Sequence, residues 1–203
     1  IFVGHPGASR LYLGSTDTVN DIAYAGTVEI YDRSGSTFTL VGDHIHGGYF
    51  TTGSDANKPI GRSFGHVIAC SDDGNYFYAT SYDDSGQSEE YPYGKLHLFK
   101  RESNTYSEVD SSKLESPYST NNRLGYSLAC DSSGSKVIAG ECNLFGGSSR
   151  GVVHYYARVG DNITHVGFTT SVVAIQNGTG SSLWGWDLDL DGSGEVGIIG
   201  APY

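Results

Sequence analysis

Five residues late in the chain, Asp187, Asp189, Asp191, Ser193 and Glu195, have the types and spacing to hold a hard cation. They lie in the run D-L-D-L-D-G-S-G-E, with the aspartates two apart, Gly192 directly after the third and Glu195 four beyond it. In a tight loop the four carboxylates and the Ser193 main-chain carbonyl can turn toward one point, which is the oxygen coordination that calcium takes. Gly192 is expected to permit the sharp turn. Three carboxylates this close repel one another unless a cation sits among them, so the sequence predicts one Ca2+ site; a merely solvated acidic turn is the plainer alternative. A helix-flanked calcium loop needs a carboxylate at its twelfth position. Here that position is Ile198, inside an apolar run.

The elements that must position this loop follow from what surrounds it. V-G-I-I-G-A-P-Y reads as a short buried strand ended by Gly and Pro. The same sentence recurs earlier. Phe64-Gly65, Leu124-Gly125 and Trp184-Gly185 each open a unit, and their glycines are 60 residues apart. Gly26-Thr-Val-Glu-Ile-Tyr31, Gly94-Lys-Leu-His-Leu-Phe99 and Gly151-Val-Val-His-Tyr-Tyr156 share a second pattern, G-x-apolar-x-apolar-aromatic, and the opening I-F-V-G-H-P-G matches I-I-G-A-P-Y with Gly4 on Gly200. Four strands per unit with no helical period predict an all-β fold of propeller-type blades, each of four antiparallel strands. The units run about 1–60, 61–120 and 121–180, and 181–203 starts the next blade, all within one repeat region spanning 1–203. The first unit carries an insertion, the polar stretch Gly14 to Asp21, expected on a surface loop.

An aromatic-Gly pair, an acidic D-x-D-x-D-G-x-x-E loop, an apolar strand and Gly-Ala-Pro together resemble the FG-GAP repeat, the blade unit of the integrin alpha-subunit propeller. Phe64-Gly65 and Gly200-Ala201-Pro202 keep the two signatures literally; Leu124-Gly125 and Trp184-Gly185 keep only the glycine and an apolar partner. The acidic loop is complete only in the last unit. The matching positions are Ser127, Ala129, Asp131 and Ser135 in the middle unit and Val67, Ala69, Ser71 and Asn75 before it, so those loops are expected to bind no metal. The resemblance implies an extracellular or cell-surface adhesion module with a protein or glycan ligand.

Composition bounds the alternatives. A formal charge of -11 with only Lys100-Arg101 adjacent among basic residues argues against binding nucleic-acid phosphates, so no nucleic-acid partner is expected. No apolar run reaches the length of a membrane-spanning helix. The sequence contains no methionine, even at position 1, and is expected to be a mature form or a piece of a longer polypeptide. Asn162-Ile163-Thr164 and Asn177-Gly178-Thr179 are N-glycosylation acceptors, so Asn162 and Asn177 are glycoprotein sites if the chain is secreted.

Other candidates read more plainly. Asp43-His44-Ile45-His46 places two imidazoles at strand spacing but lacks a third ligand nearby, and a solvated loop is preferred. Asp83, Asp84, Glu89 and Glu90 lack the tight stagger of a cation site and suit a surface loop. His97 and His154 occupy equivalent third-strand positions, which repetition explains without catalysis. Cys70 and Cys130 are one repeat apart and are expected to be small buried residues without a bridge; Cys142 leaves the count odd. No nucleophile elbow, zinc-protease helix motif or phosphate loop is present, so no catalytic residue is assigned. Two further readings stay open: a subunit of an extracellular filament that self-associates by completing blades between copies, and an accessory domain of a larger secreted enzyme.

Overall fold

Antiparallel strands account for all the regular structure among the described residues, which a computed structural model places at 2–5, 10–12, 20–22, 26–46, 64–81, 95–113, 123–142, 151–170 and 184–201. The first sheet contains β1 (Phe2–His5), β4 (Thr27–Ser34), β5 (Thr37–Leu40) and β6 (Ile45–His46), with β2 (Arg10–Tyr12) and β3 (Asn20–Ile22) paired apart from it. The second is β7 (Ile68–Cys70), β8 (Tyr76–Ser81), β9 (Lys95–Glu102) and β10 (Thr105–Lys113), in that spatial order. The third repeats the plan with β11 (Arg123–Cys130), β12 (Lys136–Cys142), β13 (Val152–Val159) and β14 (Asn162–Thr170). A final pair, β15 (Asp187–Leu190) and β16 (Gly197–Gly200), opens a fourth. The chain is an all-β protein of propeller-type blades. The insertion in the first unit differs from a plain loop at its end, because Asn20 and Asp21 belong to β3, which pairs with Arg10–Tyr12.

Alternation along each strand builds the interfaces. Phe77, Ala79 and Phe99 of the second blade join Val28, Ile30 and Val41 of the first. Tyr78, Leu96 and Leu98, offset by one residue, face the third blade and meet Leu124, Leu128, Val137, Ala139 and Tyr156. Ile138 and Val153 turn the other way, to Leu188. The core is thus a series of seams between blades, because a sheet flanked on both faces buries both sets of its alternating residues.

The hairpin between the first two strands of a blade is copied with its hydrogen bonds. Gly74, Gly134 and Gly194 have φ of 67°, 64° and 67°, a left-handed conformation that costs glycine least. The amide of each donates to the carbonyl three residues back, at Ser71, Asp131 and Asp191. The left-handed residue of the acidic loop is therefore Gly194 and not the expected Gly192, because it is the Gly194 amide that closes on the Asp191 carbonyl. Asp131 shows what the aspartate does here. Its carboxylate accepts the Ser135 and Lys136 amides at 2.6 and 3.0 Å and the Ser133 and Ser135 hydroxyls at 2.9 Å each. Burial raises its pKa, but those donors outweigh burial and hold it below the ordinary value. Its stabilising effect is therefore complete above the unfolded pKa and lost as pH falls through the folded one. Asp131→Ala is expected to cost about 2 kcal/mol, measurable as a lower urea midpoint at unchanged m-value.

Adjacent hairpins are also tied to one another. The Asp72 amide donates to the Ser132 carbonyl at 2.8 Å, and the Ser132 amide to the Gly192 carbonyl at 3.1 Å. Toward the opposite end, Thr80 Oγ1 donates to the Gly125 carbonyl at 2.9 Å and Ser127 Oγ to the Gly185 carbonyl at 2.6 Å. The second blade is held to the third, and the third to the fourth, at both ends of their inner strands.

Candidate functional site

Asp187 and Asp189 lie on one face of β15 because residues two apart on a strand point the same way. Both are exposed, while Leu188 between them is buried against the third blade. Each carboxylate accepts the amide of the residue that follows it, Leu188 at 3.1 Å and Leu190 at 2.9 Å. Asp191 is used differently. It accepts the Ser193 hydroxyl at 2.5 Å and the amides of Glu195 and Val196 at 2.8 Å each, repeating the work of Asp131. The Ser193 hydroxyl, then the Val196 amide, bring its pKa down to about 2. Lys136 reaches across from the third blade, donating from Nζ to the Ser193 carbonyl at 3.1 Å and pairing with Glu195 Oε1.

The structure therefore groups the five sequence-assigned residues in one hairpin and divides them by role. Among the described residues, the Asp187 and Asp189 carboxylates have no partner from another strand, Asp191 closes the turn, and Lys136 holds the other two. Among the described residues, no group of three or more His, Cys, Asp or Glu side chains converges closely enough to hold a metal ion. The donors fit calcium by type, since all are hard oxygens. Convergence requires Lys136 to release Ser193 and Glu195.

The remaining candidates are placed as follows. Asn162 is exposed at the start of β14, and Asn177 lies outside the described residues, as does the acidic stretch with Asp83, Asp84, Glu89 and Glu90. His44 is an exposed residue 3.5 Å from Glu29. Cys70 and Cys130 are free thiols; Cys130 is half-buried against the seam between the second and third blades, but Cys70 is exposed, correcting the expected burial. Equivalent repeat positions differ here because each strand meets a different neighbour. Burial raises both thiols, Cys130 to about 12, which keeps them protonated at neutral pH.

Reading along the sequence missed a set of polar chains that crosses the second, third and fourth strands of a blade. In the second blade His97 bonds Ser81 Oγ through Nε2 at 2.9 Å and Glu108 Oε1 through Nδ1 at 2.8 Å. In the third, the same places hold Glu141, His154 and His165. His154 Nε2 meets Glu141 Oε2 at 2.7 Å, and His154 Nδ1 meets His165 Nε2 at 3.2 Å. The signal was the spacing of eleven residues from His97 to Glu108 and from His154 to His165. Ser81–His97–Glu108 has the bonding order of a hydrolase triad, but a nucleophilic serine must reach substrate. Ser81 is 0% exposed and the Glu108 side chain 43%, the reverse of that need. The third blade puts a carboxylate where the serine stands, so the shared feature is a buried polar chain.

No family model matches the sequence, and no curated protein matches it. Among solved structures, a structural-genomics target from Lactobacillus plantarum aligns at a TM-score of 0.46 and 13% identity. The alignment covers 74% of this chain, which spans 37% of that protein.

Among the described residues no helix is long and apolar enough to cross a membrane.

Proposed function

We propose that this chain is a non-catalytic binding or adhesion module of the FG-GAP-like, extracellular or cell-surface kind, which presents its loops to a protein or glycan partner and takes one calcium ion in its last hairpin. The observation that carries the reading is the pair Asp187 and Asp189. They add two exposed carboxylates to one side of β15, at positions that are Ser127 and Ala129, or Val67 and Ala69, in the other hairpins. Blade packing makes no demand for them. A cation would offset their mutual repulsion and recruit the Ser193 carbonyl and Glu195.

Lys136 competes with that cation for the same oxygens. Lys136→Ala is therefore expected to tighten calcium binding several-fold, and Asp189→Ala to abolish it, in titration calorimetry. With calcium at about 100 times its Kd, stabilisation is about 2.7 kcal/mol, or about 5–10 °C in Tm for a domain of this size. Identical melting curves in calcium and chelator would remove the ion from the account.

A second reading, assembly of copies by blade-on-blade contact, starts from Ile198, whose face is open to a further blade supplied by more sequence or by another copy. Ile198 is 70% exposed on the face where its equivalents Tyr78 and Ile138 are 0% and 3% exposed against the next blade. Sedimentation at rising concentration tests it: a monomer throughout rules assembly out.

A further inference from the structure

The Glu141–His154–His165 chain crosses the third blade from β12 to its outer strand β14, and nothing in the proposed binding role uses it. His154 is completely buried and Glu141 nearly so, while His165 is exposed on the strand that ends the sheet. We propose that this chain is a proton-operated latch that releases β14 from the third blade when its surroundings acidify.

The latch follows from counting protons. His154 Nδ1 and His165 Nε2 face each other at 3.2 Å, and one hydrogen bond between them holds one proton. When both rings carry their full complement, two N–H donors oppose each other with no acceptor between. His154 cannot turn away, because Glu141 holds its other nitrogen at 2.7 Å and the ring is packed on Tyr156 and Phe168. Relief must come from His165. The ladder is already interrupted there, since the β13–β14 register shifts between Tyr155 and Tyr156, and Tyr156 is the partner of His165. Opening also admits water to Glu141 Oε1 and the Tyr156 hydroxyl, both buried without a hydrogen-bond partner.

Other groups also pack on this seam. The second blade presents Tyr78, Leu96 and Leu98 from β8 and β9. Burial carries the Tyr78 phenol far above neutral pH, and Tyr156 likewise. From β10, Asp110 accepts the Ile163 amide at 2.6 Å and anchors the start of β14, so release is confined to the residues beyond it. Burial, and then the charge of His154, lower the pKa of His165. The folded value thus lies below the unfolded one, and the stability this group contributes is complete above about pH 6.5 and lost as pH falls through the folded value.

Amide hydrogen exchange at pH 7.5 and 5.5, corrected for intrinsic rates, tests the latch. Between these pH values one proton of linkage changes the opening equilibrium by about tenfold. Wild-type amides from Thr164 to Thr169 are expected to lose about tenfold in protection, while those of β10 keep theirs. His165→Gln offers His154 Nδ1 an amide oxygen or N–H in place of the imidazole but cannot charge, and its β14 amides are expected to be equally protected at both pH values. Full protection of wild-type β14 at pH 5.5, or the same loss in His165→Gln, overturns the proposal. If the variant does not fold, the wild-type His165 imidazole can be followed by NMR. Protonation below the ordinary histidine range together with shifts of the β14 amides supports the latch; an ordinary midpoint with β14 unmoved overturns it.

Discussion

Gly151→Ala is expected to unfold the chain at temperatures the wild type tolerates. A Cβ on Gly151 would stand 1.8 Å from the Trp184 carbonyl oxygen and 2.9 Å from its amide nitrogen. Both are backbone atoms, so no side-chain rotation relieves the clash. The third-blade strand must move from the entry to the fourth blade, opening the seam of Ile138, Val153 and Leu188. The cost is expected to exceed about 4 kcal/mol, lowering Tm by roughly 10 °C or more for a domain of this length. Gly26 makes the same approach two interfaces earlier, where its Cβ would lie 2.1 Å from the Phe64 carbonyl oxygen. Gly167→Ala is the control, because no atom lies within 4 Å of its Cβ position; it is expected to stay within about 1 kcal/mol. Equal melting of Gly151→Ala and wild type would mean that the blades do not meet this way.

Phe64→Ala is expected to cost about 3–5 kcal/mol, the range for emptying a large buried aromatic site. Phe64 is 1% exposed and packs edge-on against His97 and Phe99, with ring centroids 5.2 and 5.8 Å away, while Val28 and Ile30 close over it from the first blade. The cavity would lie between two sheets that touch mainly through side chains, so collapse around it means shifting a whole blade. Guanidinium unfolding measures the loss, and Leu124→Ala, at the equivalent place in the next seam, should fall within about 2–5 kcal/mol. A loss below about 1 kcal/mol for Phe64→Ala would show that the seam is not the core.

Calcium and the latch depend on different contacts, so they can be separated. The proposed calcium would bind where Lys136 meets the Ser193 carbonyl and Glu195 on the hairpin side, whereas the proposed latch lies among Glu141, His154 and His165. His165→Gln should leave the calcium response unchanged. Asp189→Ala should leave the pH response of β14 unchanged.

The sequence alone determined the architecture, because the requirements that write it are local and periodic. Alternation decides which side chains are buried in a strand, and a left-handed turn residue selects glycine; repeated every 60 residues, these made Gly65, Gly125 and Gly185 legible as corresponding points, with φ of 77°, 86° and 83°. Only the tertiary structure decided the chemistry. That Gly194 rather than Gly192 takes the turn, and that Asp191 closes it rather than waiting for a metal, follows from hydrogen bonds that an acidic motif does not specify. That Lys136 occupies the oxygens of Ser193 and Glu195, that Cys70 is exposed where Cys130 is sheltered, and that Glu141, His154 and His165 form one hydrogen-bonded chain depends on faces brought together from distant parts of the chain. A repeat fixes where each strand lies; the neighbour packed against it fixes what its side chains can do.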